Sequence, residues 1–163
     1  MGVRQSFGFG ELRKRLNNVG VSNDVAILRR LQKIGEEMCS HAREDKGGHP
    51  IEYDDQTHNL RSSIGYRIYF NGEQKAEGGF QNVTGTNPKT KKEVTGDGKQ
   101  EAENALNEFA SAYVTDVSGW VIIIVCGMKY AKYVEAKGYN VLHLTNIKLQ
   151  EEVNKLKREF GIK

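Results

Sequence analysis

The chain has 163 residues, enough for one hydrophobic core and too few for two full-sized domains. Hydrophobic residues make up 37% and charged residues 28%, a balance that excludes a disordered or fibrous chain. The formal net charge is only +3, and residues 1–46 carry all of that excess, with nine Lys/Arg against six Asp/Glu, so any acidic partner would be met by the N-terminal third.

At the start, MGVRQSFGFGELRKRL lacks the apolar stretch of a secretory leader. Phe9, Leu12 and Leu16 are spaced for one face of a short helix. Residues 1–20 therefore read as an N-terminal helical extension, ended by Asn17, Asn18, Val19 and Gly20. A longer helix follows from an N-cap at Ser22 or Asn23 to about residue 45. Its apolar positions Ile27, Leu28, Leu31, Ile34, Met38 and Ala42 fall at helical spacing, with Arg29, Arg30, Lys33, Glu36 and Glu37 opposite. Lys46, Gly47, Gly48, His49 and Pro50 break it.

Beyond this break Ile64, Tyr66, Ile68 and Phe70 alternate with Ser63, Gly65, Arg67 and Tyr69, a period of two that predicts a strand with one buried face. Asn71-Gly72 comes next, a pair that tolerates the positive φ angles of a tight hairpin turn, and a second strand to about Phe80 completes the hairpin. Residues 81–98, QNVTGTNPKTKKEVTGDG, show no apolar period and predict a long, exposed, mobile loop of the kind that marks a contact surface.

Ala102, Ala105, Leu106 and Phe109 define an amphipathic helix over about 99–112. WVIIIVC at 120–126 is apolar on both faces and should lie centrally in the sheet; it is about a third of the ~20 residues a membrane span needs. YNVLHL at 139–144 alternates as a further strand, and Leu149, Val153, Leu156 and Phe160 stripe a final helix over 146–160, capped by Gly161. The fold class implied is α+β: one domain in which an antiparallel sheet with a long hairpin packs against two or three helices.

Few constellations carry chemistry. Cys39 and Cys126 are far apart and form no CxxC pair, which points to neither a disulfide framework nor zinc and suits a reducing, intracellular setting. A nucleophilic Cys126 with His58 or His143 as its base is the sharpest enzymatic reading. Yet Cys126 shares strand parity with Trp120, Ile122 and Ile124, which buries its thiol in an apolar layer. His41, His49, His58 and His143 have no metal-ligand spacing, and no phosphate-cradling glycine motif is present, so no cofactor is expected. Glu36-Glu37 and Asp54-Asp55 are sequence neighbours whose carboxylates diverge. A nucleic-acid reading rests on Lys89, Lys91 and Lys92, with Lys99 and the basic triplet at 13–15, although no aromatic is interleaved with the loop lysines.

Two segments in order narrow the reading. THNLRSSIGYRI at 57–68 and YAKYVEAKG at 130–138 resemble the two signature stretches of the head-tail joining and tail-completion (neck) proteins of long-tailed bacteriophages. Those proteins read Thr-Gly-x-Leu-Arg-x-Ser-Ile entering a strand, then Tyr-Ala-x-Tyr-Val-Glu after a later one. Thr57, Leu60, Arg61, Ser63 and Ile64 match the first; Tyr130, Ala131, Tyr133, Val134 and Glu135 match the second. The resemblance implies a non-catalytic virion protein without a cofactor, made in the bacterial host cytoplasm. It further implies assembly as a ring between connector and tail-tube proteins, with self and those phage proteins as partners. These motif residues become structural or interface candidates, and Lys89, Lys91 and Lys92 become candidate loop contacts. The alternative is a small nucleic-acid-binding module built on the basic N-terminal region and the lysine-rich loop.

Overall fold

The computed structural model describes residues 23–44, 56–137 and 141–160, and the backbone of residues 2–7. In chain order the elements are β1 (Gly2–Phe7), α1 (Asn23–Arg43), the single turn α2 (Asn59–Ser62), β2 (Ile64–Phe70), β3 (Glu73–Gly78), β4 (Thr84–Thr86), β5 (Glu93–Thr95), α3 (Lys99–Tyr113), β6 (Trp120–Cys126), α4 (Ala131–Ala136) and α5 (His143–Glu159). The fold is α+β, with an antiparallel main sheet in the order β1-β6-β2-β3 and a separate β4-β5 ribbon.

β6 sits inside the sheet, as its two-sided apolar sequence requires, and pairs with β2 in a register that runs from Ile64 opposite Cys126 to Phe70 opposite Trp120. Parity then sorts the side chains into two layers. Ile64, Tyr66, Ile68, Trp120, Ile122, Ile124 and Cys126 meet the apolar stripes of α1 and α5, chiefly Leu31, Ile34, Met38, Leu149, Val153 and Leu156. Tyr69, Val121, Ile123 and Val125 meet Ala102 and Leu106 of α3 on the opposite face. Each isoleucine so buried contributes about 2 kcal/mol over an exposed one.

The second layer corrects the expectation of a one-faced β2. Its alternate positions are covered by α3, and Arg67 is buried with them because its fork is satisfied on the spot. Arg67 Nη1 donates to Asn107 Oδ1 at 2.7 Å, and Nη2 lies 3.0 Å from Glu77 Oε2. A buried cation is tolerable when its donors are matched in this way.

The hairpin follows its sequence. Asn71 (φ 51°) and Gly72 (φ 82°) both take the left-handed conformation of the tight turn. Asn71 also ties this end of the sheet together: its Oδ1 accepts from Gly119 N at 2.8 Å and its N donates to Gly119 O at 3.0 Å. β3, the outer strand beyond β2, carries Glu73, Lys75 and Glu77, charges that discourage edge pairing.

Three further expectations need correction. Residues 2–7, read as part of a helical extension, form β1 and pair antiparallel with the far side of β6, because a central strand leaves a row of backbone groups that another strand must satisfy. Phe9, Leu12, Leu16 and the basic triplet at 13–15 lie outside the described residues, as do His49, Asp54, Asp55 and Gly161.

The loop at 81–98 is not shapeless: Thr84–Thr86 and Glu93–Thr95 pair as a ribbon, with Asn87 Oδ1 accepting from Lys89 N and Thr90 N to close its turn. Residues 139–144 do not supply a strand within the described part. Val141 and Leu142 are buried, and α5 already begins at His143. Leu142, Thr145, Leu149, Val153 and Leu156 share one buried helical face, a period that a six-residue window cannot distinguish from alternation.

Candidate functional site

The antiparallel register places the start of β2 beside the end of β6, which brings the two signature segments to the same end of the sheet. The joint between the first segment and the exit of β6, which leads into the second, is made by Leu60 and Ser63. Ser63 O accepts from Gly127 N at 2.8 Å, and Ser63 Oγ accepts from Met128 N at 3.2 Å while donating to Leu60 O at 2.8 Å. Cys126 Sγ lies 3.4 Å from both Leu60 O and Ser63 Oγ. A fully buried serine thus holds the exit of β6 against the α2 turn.

Among the first set of candidates, Leu60 and Ile64 are buried in the α1/α5 layer, and Thr57 is exposed just ahead of α2. Arg61 contributes its carbonyl, which accepts from Arg43 Nε at 3.1 Å. In the second set, Ala131 is buried and Val134 packs on the core, while Glu135 reaches forward to accept from Leu142 N at 3.2 Å and so braces the entry to α5. Tyr130 and Tyr133 point outward, 39% and 63% exposed. Lys89, Lys91 and Lys92 are exposed on the β4-β5 turn. That ribbon is fastened to the body by Val83 N to Ser62 Oγ at 2.9 Å, Asp97 N to Asn59 Oδ1 at 2.9 Å and Asn87 Nδ2 to Gln56 O at 2.8 Å.

Behind the joint lies a polar cluster that the sequence reading missed. Arg43, in the last turn of α1, donates to the carbonyls of Arg61, Ile64 (2.7 Å) and Gly79. Glu36 Oε1 accepts from Tyr66 OH at 3.0 Å and Gly79 N at 3.2 Å, whereas Glu37 turns away toward Lys33. The only sequence signal was a strand carrying the aromatic Tyr66 and a helix carrying Glu36 and Arg43 two turns apart. Helical spacing alone assigned Glu36 to solvent.

The thiols have little nucleophilic character. Cys126 is fully buried in the apolar layer, and His143 is exposed at the start of α5. Burial pushes the Cys39 thiol up to about 12, with smaller opposing effects from Arg43 and Glu36. The Tyr66 phenol is raised too, first by burial and then by its bond to Glu36. Among the described residues no group of three His, Cys, Asp or Glu could hold a metal ion, and no described helix is long and apolar enough to cross a membrane.

These shifts have a definite sign. Both acids ionise more readily in the unfolded chain, so the stability they confer is complete below pH 9 and is lost as pH rises toward the folded Cys39 value of about 12. Urea midpoints should therefore fall steadily above pH 9, and Cys39→Ala should flatten that alkaline slope relative to its own neutral-pH midpoint. An identical slope in the variant would show that Cys39 is not the group responsible.

Comparison of the chain with protein-family models, curated proteins and solved structures finds no match.

Proposed function

We propose that the chain is a structural component of a bacteriophage or prophage virion. It acts in head-tail joining or tail completion, as a ring of identical copies at the neck that touches connector and tail-tube proteins. The observation that carries this reading is the joint itself. Ser63 of the first signature segment is bonded to Gly127 and Met128, which lead from β6 into the second, more than sixty positions away in sequence. The segments' most buried members, Leu60, Ser63, Ile64 and Ala131, serve the fold.

A ring of identical copies needs a projecting surface on one copy to meet an unlike surface on the next. The β4-β5 ribbon, fastened at its base and exposed at its turn, fits that requirement. Deleting the gene from a phage-producing strain should leave filled heads and free tails that do not join, and complementation should restore tailed particles. Normal particles from the deletion strain, together with absence of the protein from purified virions, would sink the proposal.

A further inference from the structure

The short helix α4 buries only one side. Ala131 is fully buried and Val134, three positions on, rests on the core. Everything on its outer side is exposed: Lys129, Tyr130, Lys132, Tyr133 and Lys137. Tyr130 and Tyr133 are themselves one turn apart, a spacing that sets Cβ atoms about 5–6 Å from each other, so two neighbouring planar groups of one ligand can reach both rings.

The charge on this side is one-signed. Glu135, the one carboxylate of the segment, is turned toward Leu142 N. Lys129 and Lys132 have no ion pair among the described residues. Lys137 holds its ammonium 4.3 Å from the centre of the Tyr133 ring, which puts a cation directly against the aromatic face. The other large exposed apolar side chains among the described residues, Val25, Tyr113 and Ile147, belong to separate helices. The β4-β5 turn is the reverse case: its lysines suit phosphate alone.

We infer that the outer side of α4 binds a single-stranded nucleic acid, with phosphates met by Lys129 and Lys132 and successive bases stacked on Tyr130 and Tyr133. Charge complementarity selects a polyanion, and the paired exposed rings select one whose bases are unstacked and free to lie on them. A duplex keeps its bases inside and would use the lysines only. This surface stands independently of the role at the neck.

The test is fluorescence anisotropy of the full chain with a labelled oligothymidylate of about 20 nucleotides, beginning at about 50 mM salt. Binding should weaken as salt rises, with Tyr133→Ala weakening it about tenfold and Tyr130→Ala/Tyr133→Ala about a hundredfold. Lys129→Gln and Lys132→Gln should each lower the slope of log affinity against log salt by about 0.7. Both tyrosines are exposed, so the thermal midpoints of these variants serve as the folding control. Absence of binding at the lowest salt overturns the inference, as does equal binding by the parent and the double tyrosine variant. If instead the double variant loses self-association in size-exclusion chromatography while binding the oligonucleotide unchanged, the face meets another copy and the inference is wrong.

Discussion

Gly127→Ala should lower stability by about 3 kcal/mol, at the upper end of the cost of overpacking. A Cβ at this position would lie 2.2 Å from the carbonyl carbon and oxygen of Glu101 and 2.4 Å from Ala102 N. Those atoms are backbone in the first turn of α3, so no side-chain rotation relieves the clash. Either α3 must move off Val125 and Ile123, or the chain after β6 must swing away and give up the Gly127–Ser63 and Met128–Ser63 bonds. Urea unfolding should show a lower midpoint with an unchanged slope. Gly72→Ala is the useful contrast: the nearest atom is 3.6 Å away and the only penalty is its positive φ, worth about 1 kcal/mol. If Gly127→Ala costs no more than Gly72→Ala, the close approach of Gly127 to the first turn of α3 does not constrain the exit of β6.

Arg43→Met should cost a similar amount, about 3 kcal/mol. Methionine keeps the apolar stem but leaves the carbonyls of Arg61, Ile64 and Gly79 without the donor that now serves all three. Part of the loss is returned, since the guanidinium is itself desolvated, the largest cause of its lowered pKa. Arg43→Lys should fall between parent and Met, because one ammonium cannot reproduce a planar fork aimed at carbonyls from three separate segments. The ordering parent, Lys, Met in urea midpoints is the checkable outcome. A Met variant as stable as the parent would mean that desolvation cancels all three bonds.

Most of the architecture could be read without coordinates. The helical stripe from Ile27 to Ala42, the alternation from Ile64 to Phe70, the Asn71-Gly72 turn and the two-sided apolar run WVIIIVC each obey one period or one turn rule over enough residues to be unambiguous. The assignment of Cys126 to the core followed from parity alone. The signature segments were visible as strings, but their sequence did not say that Ser63 would tie the first to the residues leading into the second.

What the sequence determined by itself is therefore the set of long elements and, for the helices and β6, the face each would bury, because periodicity is a local property of side chains in regular backbone. Tertiary structure alone decided the rest. β1 exists because β6 offers an unpaired edge, and the β4-β5 ribbon exists because α2 anchors its base at Ser62 and Asn59. Arg67 could be buried because Asn107 and Glu77 converge on it from α3 and β3. Arg43 and Glu36 look like solvated charges on a helix until Gly79 and Tyr66 arrive opposite them. In each case the deciding partner lies outside the local window, and a hydrogen-bond donor or acceptor leaves no periodic trace of where its partner will be.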